Sequence, residues 1–153
     1  MMKIELSPLL DITIEAEPPT TLGNFPDGER RLIRFVGGTF EGVDGLNGQV
    51  GPGGLDWQTV QADGTIQLSA HYYLQTDAGD SIEIQSDGLR AAAPEVLTRL
   101  AAGEPVDPSE YYFRTQIRFG TSSPRYERLN RTLGIAWGER ERSTVRIHVF
   151  EVH

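Results

Sequence analysis

The sequence predicts an all-β protein, mainly an antiparallel β-barrel, with one short helix. Three observations carry that expectation: apolar and polar residues alternate with period two in several windows, the windows lie close together, and turn-forming residues separate them. Leu10, Ile12, Ile14 and Ala16 share one face, with Asp11, Thr13 and Glu15 opposite. Ile66, Leu68, Ala70, Tyr72 and Leu74 oppose Gln67, Ser69, His71, Tyr73 and Gln75. Tyr111, Phe113, Thr115, Ile117 and Phe119 oppose Glu110, Tyr112, Arg114, Gln116 and Arg118. Successive side chains of a strand point to opposite faces, so each series reads as a strand with one apolar face. Shorter runs mark strands over Arg31–Val36, Gly38–Gly42, Asn47–Val50, Asp56–Gln61, Ser81–Gln85, Leu133–Trp137 and Thr144–Val152.

Pro26-Asp27-Gly28, Asp44-Gly45, Pro52-Gly53-Gly54, Asp63-Gly64, Asp77-Ala78-Gly79 and Asp87-Gly88 supply residues that tolerate positive φ or preset a turn. The helix is expected over Pro94–Ala102, with Pro at its first turn, Val96, Leu97 and Leu100 at helical spacing, and Gly103 as the stop. Many short antiparallel strands must hide their edges, and closure into a barrel does so; a sandwich is the alternative. A barrel of about eight strands can enclose one small ligand.

The chain has 153 residues and no cysteine, with 17 Gly, 9 Pro and 38% hydrophobic residues. That is the size of one domain, spanning 1–153, with enough apolar residues for a core, so a disulfide scaffold and a disordered chain are excluded. The formal net charge of −8 argues against a nucleic-acid partner, because phosphate binding relies on clustered cations. The charge is uneven: residues 1–110 carry 18 acids and 6 bases, residues 111–153 carry 4 acids and 8 arginines. The later segment is therefore where an anionic ligand could be held. No secretion signal and no run of about 18 apolar residues is present, so a cytoplasmic protein without a membrane partner is expected.

The run Gly37-Gly38-Thr39-Phe40-Glu41-Gly42, then Gly48-Gln49-Val50-Gly51-Pro52-Gly53-Gly54-Leu55-Asp56-Trp57, then Asp63-Gly64 resembles the UPF0311, or DUF3237, family. Ser69-Ala70-His71-Tyr72-Tyr73-Leu74, Asp77-Ala78-Gly79-Asp80-Ser81-Ile82, Tyr111-Tyr112-Phe113-Arg114 and Tyr126-Glu127-Arg128-Leu129-Asn130 follow in the same order. The resemblance spans about Arg31 to Val152 and implies a compact β-barrel. It implies no catalytic residues, since the family has no assigned function.

The residues themselves suggest a pocket. His71 and Tyr73 on one strand face suit proton exchange near neutral pH and stabilisation of an oxyanion, with Ser69 beside them for substrate. Asp56 after the Gly-Gly turn suits a carboxylate base, and Trp57 an apolar wall. Tyr112 and Arg114 project together, and Arg114 could clamp an anion bidentately. The expected catalytic set is Asp56, His71 and Tyr73; the expected substrate-binding set is Trp57, Ser69, Tyr112 and Arg114. Each has a structural rival: the wet face of a sheet for His71, a core position for Trp57, an ion pair for Arg114.

The histidines lack zinc-site spacing, the turn acids lack calcium-loop spacing, and no phosphate-binding glycine loop occurs. No metal and no cofactor is expected. Binding of a small organic ligand, with cofactor-independent proton transfer of the lyase or isomerase kind, is the leading functional reading. A non-catalytic binding protein and a structural or assembly protein are the alternatives, the latter with Tyr72, Phe113 and Phe119 as interface residues. A homodimer is also expected.

Overall fold

The structure, a computed structural model, describes residues 1–153. Its strands are β1 (Leu6–Ala16), β2 (Thr20–Phe25), β3 (Gly28–Gly42), β4 (Gly48–Val50), β5 (Leu55–Val60), β6 (Ile66–Thr76), β7 (Ser81–Ala91), β8 (Tyr112–Thr121), β9 (Leu133–Glu141) and β10 (Thr144–Val152). Hydrogen bonding runs β1-β10-β9-β8-β7-β6, passes through β4 and β5 end to end, reaches β3 and returns to β1. The result is a closed eight-stave antiparallel barrel, with β2 paired outside on the first half of β3. Closure leaves no staves at an edge, which removes the aggregation hazard of an open sheet. No helix is long and apolar enough to cross a membrane.

The three long alternating series hold their phase. Leu10, Ile12 and Ile14, then Ile66, Leu68, Tyr72 and Leu74, then Tyr111, Phe113, Thr115, Ile117 and Phe119 are all buried. Tyr72, Phe113 and Phe119 therefore face the lumen, so they are not outward interface residues. Facing strands match in size: a Cβ on Gly138 would stand 2.7 Å from the Phe113 ring and one on Gly134 3.1 Å from Phe119. Large β8 residues thus fill the space that small β9 residues leave.

Three expectations about element boundaries are corrected. Arg31–Val36 and Gly38–Gly42 are one strand, β3, along which the neighbours change from β2 and β5 to β1 and β4. A side chain at Gly38, where φ is +141°, would meet the Thr13 carbonyl at 2.0 Å. Asp87-Gly88 is not a turn: β7 runs on to Ala91, with Gly88 between Leu68 and Thr115. Its missing Cβ makes room for the Arg114 carbonyl, 2.1 Å from where that atom would sit. β9 likewise continues past Trp137 to Glu141.

The helix α1 (Pro94–Ala101) forms as expected, with Gly103 at φ +75° beyond it. A second helical segment, a 3-10 stretch over Pro124–Arg131, closes one end of the barrel. Its Leu129 is 1% exposed, and Arg125 and the Tyr126 hydroxyl both donate to the Asp44 carbonyl. Arg128 donates to Glu151, the one buried carboxylate at that end. The sequence does not mark this segment, because four of its eight residues are charged and only Tyr126 and Leu129 supply a buried face.

Candidate functional site

The opposite end of the barrel is where β3, β6, β8 and β10 begin and β1, β5, β7 and β9 end. Polar side chains enter the lumen here because the inward phase continues past the apolar residues. On β5 that phase places Asp56 and Gln58 inside; on β7 it places Ser86 and Arg90 in line with Ile82 and Ile84. β8 contributes Thr115, β9 contributes Arg140 and β3 contributes Arg31. All but Arg31, which donates to Gln58, line a cavity of about 50 Å³ whose remaining wall is Ile14, Ile33, Phe35, Leu68, Ala70, Tyr72, Phe113, Val145 and Ile147. Arg140 also lines two recesses outside it, of about 330 and 200 Å³, which places its side chain at the mouth.

Asp56 is 8% exposed. Gln58 Nε2 donates to its Oδ2 at 2.8 Å, while Arg31 Nη2 donates to the Gln58 carbonyl oxygen at 2.6 Å. Oδ1 has no hydrogen-bond partner. Burial disfavours the charged form and pushes the Asp56 carboxyl up from 3.8 to about 6, against the opposing pull of Gln58, the Ser69 main chain, Arg90 and Arg31. A carboxyl poised there exchanges protons near neutral pH. Tyr72 lines the same cavity, and burial followed by the Asp56 charge pushes its phenol up, so it stays an O–H donor.

The cations are just as unusual. Arg90 is 7% exposed and its Nε has no partner; burial, then Arg140 and Arg31, pull its pKa down to about 10. Burial also lowers Arg31 and Arg140. All three remain charged at neutral pH, and none forms a salt bridge within 4.0 Å. The Thr115 hydroxyl is buried without a partner too. Buried polar groups are nearly always satisfied, so three orphans around one cavity mark a place where water or a ligand completes the bonding.

Of the residues expected from the sequence, only Asp56 lines this cavity. The side chains of His71, Ser69 and Tyr73 lie on the outer face of β6, so that only the Ser69 main chain reaches Asp56. His71 pairs with Glu83 at 2.8 Å, both more than half exposed. Ser69 stands opposite Asp87, and the Tyr73 ring covers Gly51, where a Cβ would approach it to 2.1 Å. Trp57 is 46% exposed on the outer face of β5. Tyr112 and Arg114 are outside as well, the guanidinium 5.1 Å from the Tyr112 ring centre and donating to the Phe113 carbonyl. The shared pocket expected for these residues is corrected by their strand phase: each is one residue away from a neighbour that points inward.

The residues that the sequence reading passed over are Arg31, Gln58, Ser86, Arg90, Thr115 and Arg140. Their signal is a polar residue in phase with an apolar series. Thr115 stands in the Tyr111–Phe119 series itself, and Arg31 precedes Ile33 and Phe35. Arg90 lies beyond Gln85, the end of the strand that the sequence marks, on the part of β7 that only the structure shows.

The family described as "Protein of unknown function (DUF3237)" matches residues 4–152. A UPF0311 protein of Rhodopseudomonas palustris is 36% identical over 149 residues, 97% of each chain. A crystal structure of a beta-barrel like protein from Acinetobacter baumannii is 37% identical with a TM-score of 0.86, covering 100% of this chain and 98% of the other. An enzyme from Penicillium herquei shares the fold at 22% identity, with a TM-score of 0.73 over 100% and 97% of the two chains. On the family match and this identity, the chain belongs to the DUF3237, or UPF0311, family of β-barrel proteins.

Proposed function

We propose that the barrel binds a small organic molecule at its open end and moves a proton on it without a cofactor, as a lyase or isomerase does. The observation that supports this most is Asp56: a buried carboxyl, pushed up to about 6, whose Oδ1 is unpartnered beside a cavity. When ionised, that oxygen can take a proton from a carbon next to a carbonyl. The Arg90 guanidinium and the Thr115 hydroxyl can then stabilise the enolate oxygen, and the protonated Asp56 can return a proton to carbon, which restores its carboxylate. The group that moves the proton and the two that stabilise the anion come from β5, β7 and β8, all facing one lumen. That a barrel of this fold from Penicillium herquei is described as an enzyme is in keeping with this reading.

The test is deuterium uptake from D2O into a panel of small keto acids and 1,3-dicarbonyls, followed by NMR. The intact protein should accelerate exchange in at least one of them, and Asp56→Asn should slow it by roughly 10²-fold or more. Panel members that bind but exchange no faster than in buffer would identify a carrier instead.

A further inference from the structure

We infer that the ligand of this lumen carries a carboxylate, which Arg90 binds with Arg140 and Arg31 around it, while the body of the ligand is apolar and flat. This deepens the proposed function and rests on its reading of the lumen as a ligand pocket.

The inference starts from charge. A buried ion is tolerated when it is paired, and leaving one unpaired in a protein interior is strongly unfavourable. Here Arg90 and Arg140 line one cavity whose only acid is Asp56, with Arg31 next to it and Glu29 near Arg31, and none of the three arginines makes an ion pair. With Asp56 ionised the cavity wall still has an excess of one positive charge; with Asp56 protonated, two. Three arginines elsewhere are paired, Arg30 with Asp27, Arg99 with Glu110 and, at the closed end and over a buried acid, Arg128 with Glu151. The open end therefore lacks an anion that the closed end has.

Shape narrows the class. A guanidinium presents a planar fork that matches a carboxylate through two parallel hydrogen bonds, and Arg90 keeps Nε, one arm of that fork, free. Thr115, also unpartnered, is available to a carboxylate oxygen. Around these groups the wall is apolar, and Phe35, Tyr72 and Phe113 give it flat surfaces. The cavity alone holds a head group and a few more atoms. The recess of about 200 Å³ outside it shares Ile33, Arg140 and Val145 with it, so a longer ligand would continue past Arg140 between Glu17-Pro18-Pro19 and the Arg142-Ser143 turn.

Titration of Asp56 bears on the same site. The charged and titratable groups around it are Arg31 from β3 with Glu29 near it, Tyr72 from β6, Arg90 from β7, Tyr111 just before β8 with Glu139 near it, and Arg140 from β9. Asp56 is the carboxyl of the cavity wall, and burial brings its titration toward neutral pH. An anion is thus held more tightly at the lower pH.

The experiment is calorimetric titration of the full-length protein with benzoate, with its neutral isostere benzamide, and with inorganic phosphate. Benzoate should bind at least about tenfold more tightly than benzamide, the ratio expected for one charge-assisted hydrogen bond. Arg90→Met should weaken benzoate by about tenfold or more while melting no lower than the parent, because it removes an unpaired buried charge. Arg118→Met, on the outer face, should change neither. A merely structural Arg90 would give the opposite pattern, lower stability with unchanged affinity. The proposal is overturned if benzamide matches benzoate, if phosphate is preferred, if Arg90→Met keeps its affinity, or if benzoate does not bind at millimolar concentration. Asp56→Asn separates this proposal from the proton-transfer reading: it should lose deuterium exchange yet bind benzoate at pH 8 at least as tightly as the parent.

Discussion

The two ends of the barrel each bury one carboxylate, and they treat it in opposite ways. At the closed end Glu151 is held by Arg128 from the 3-10 plug, above a packed layer of Leu9, Leu74, Ile84, Ile117, Leu129 and Val149. At the open end Asp56 is buried to the same degree, 8% exposed in both cases, yet no cation closes on it and one oxygen is left free. The same chain can therefore satisfy a buried acid and at the other end does not. The two ends thus differ in how they hold a buried acid: with an ion pair at one, and with an unpartnered oxygen beside a cavity at the other.

The largest expected effect breaks the closed end. Leu129→Ala removes a fully buried side chain from the plug and should lower stability by about 2–5 kcal/mol in urea unfolding. Arg128→Ala follows: Arg128 is about half exposed, so water partly replaces it, and a loss of about 1–3 kcal/mol is expected. Arg90→Met at the open end should give no loss at pH 7 and a gain of up to about 2 kcal/mol. Equal losses for Arg128→Ala and Arg90→Met would erase the contrast between the ends.

Asp56 sharpens the comparison through pH. The folded protein holds the Asp56 proton more tightly than the unfolded chain, because its pKa is raised from 3.8 to about 6. Its contribution is hence most favourable below about pH 4, falls as pH rises to about 6, and is constant above that. The full change is roughly 3 kcal/mol by the pKa difference. Asp56→Asn should accordingly stabilise the protein by about 1–3 kcal/mol at pH 8 and leave it nearly unchanged at pH 4, measured by urea unfolding at both. The smallest effect is expected on the outer wall: His71→Ala breaks an exposed pair and should change stability by less than about 1 kcal/mol, with benzoate affinity unaltered.

Strand phase explains how much of this was legible beforehand. Ile66, Leu68, Tyr72 and Leu74 on β6 and Tyr111 to Phe119 on β8 could be assigned to the core face, since alternation reports which residues share a face. Asp56 could be picked out by its place after Gly53-Gly54. His71, Tyr73 and Arg114 could not be rejected, because a sequence does not say whether a barrel's polar face is its outside or its lumen. β2 and the Pro124–Arg131 plug lacked any apolar period, and Asp87-Gly88 looked like a turn although Gly88 is there to admit the Arg114 carbonyl.

The sequence by itself determined the antiparallel strands, the turns and the inward phase of most staves, because these depend on neighbours along the chain and on a two-residue repeat. Only the tertiary structure decided that Arg31, Arg90 and Arg140 meet around Asp56. They lie on four strands, brought together by the register of a closed barrel, and the burial that raises the Asp56 pKa exists only once all eight staves surround it.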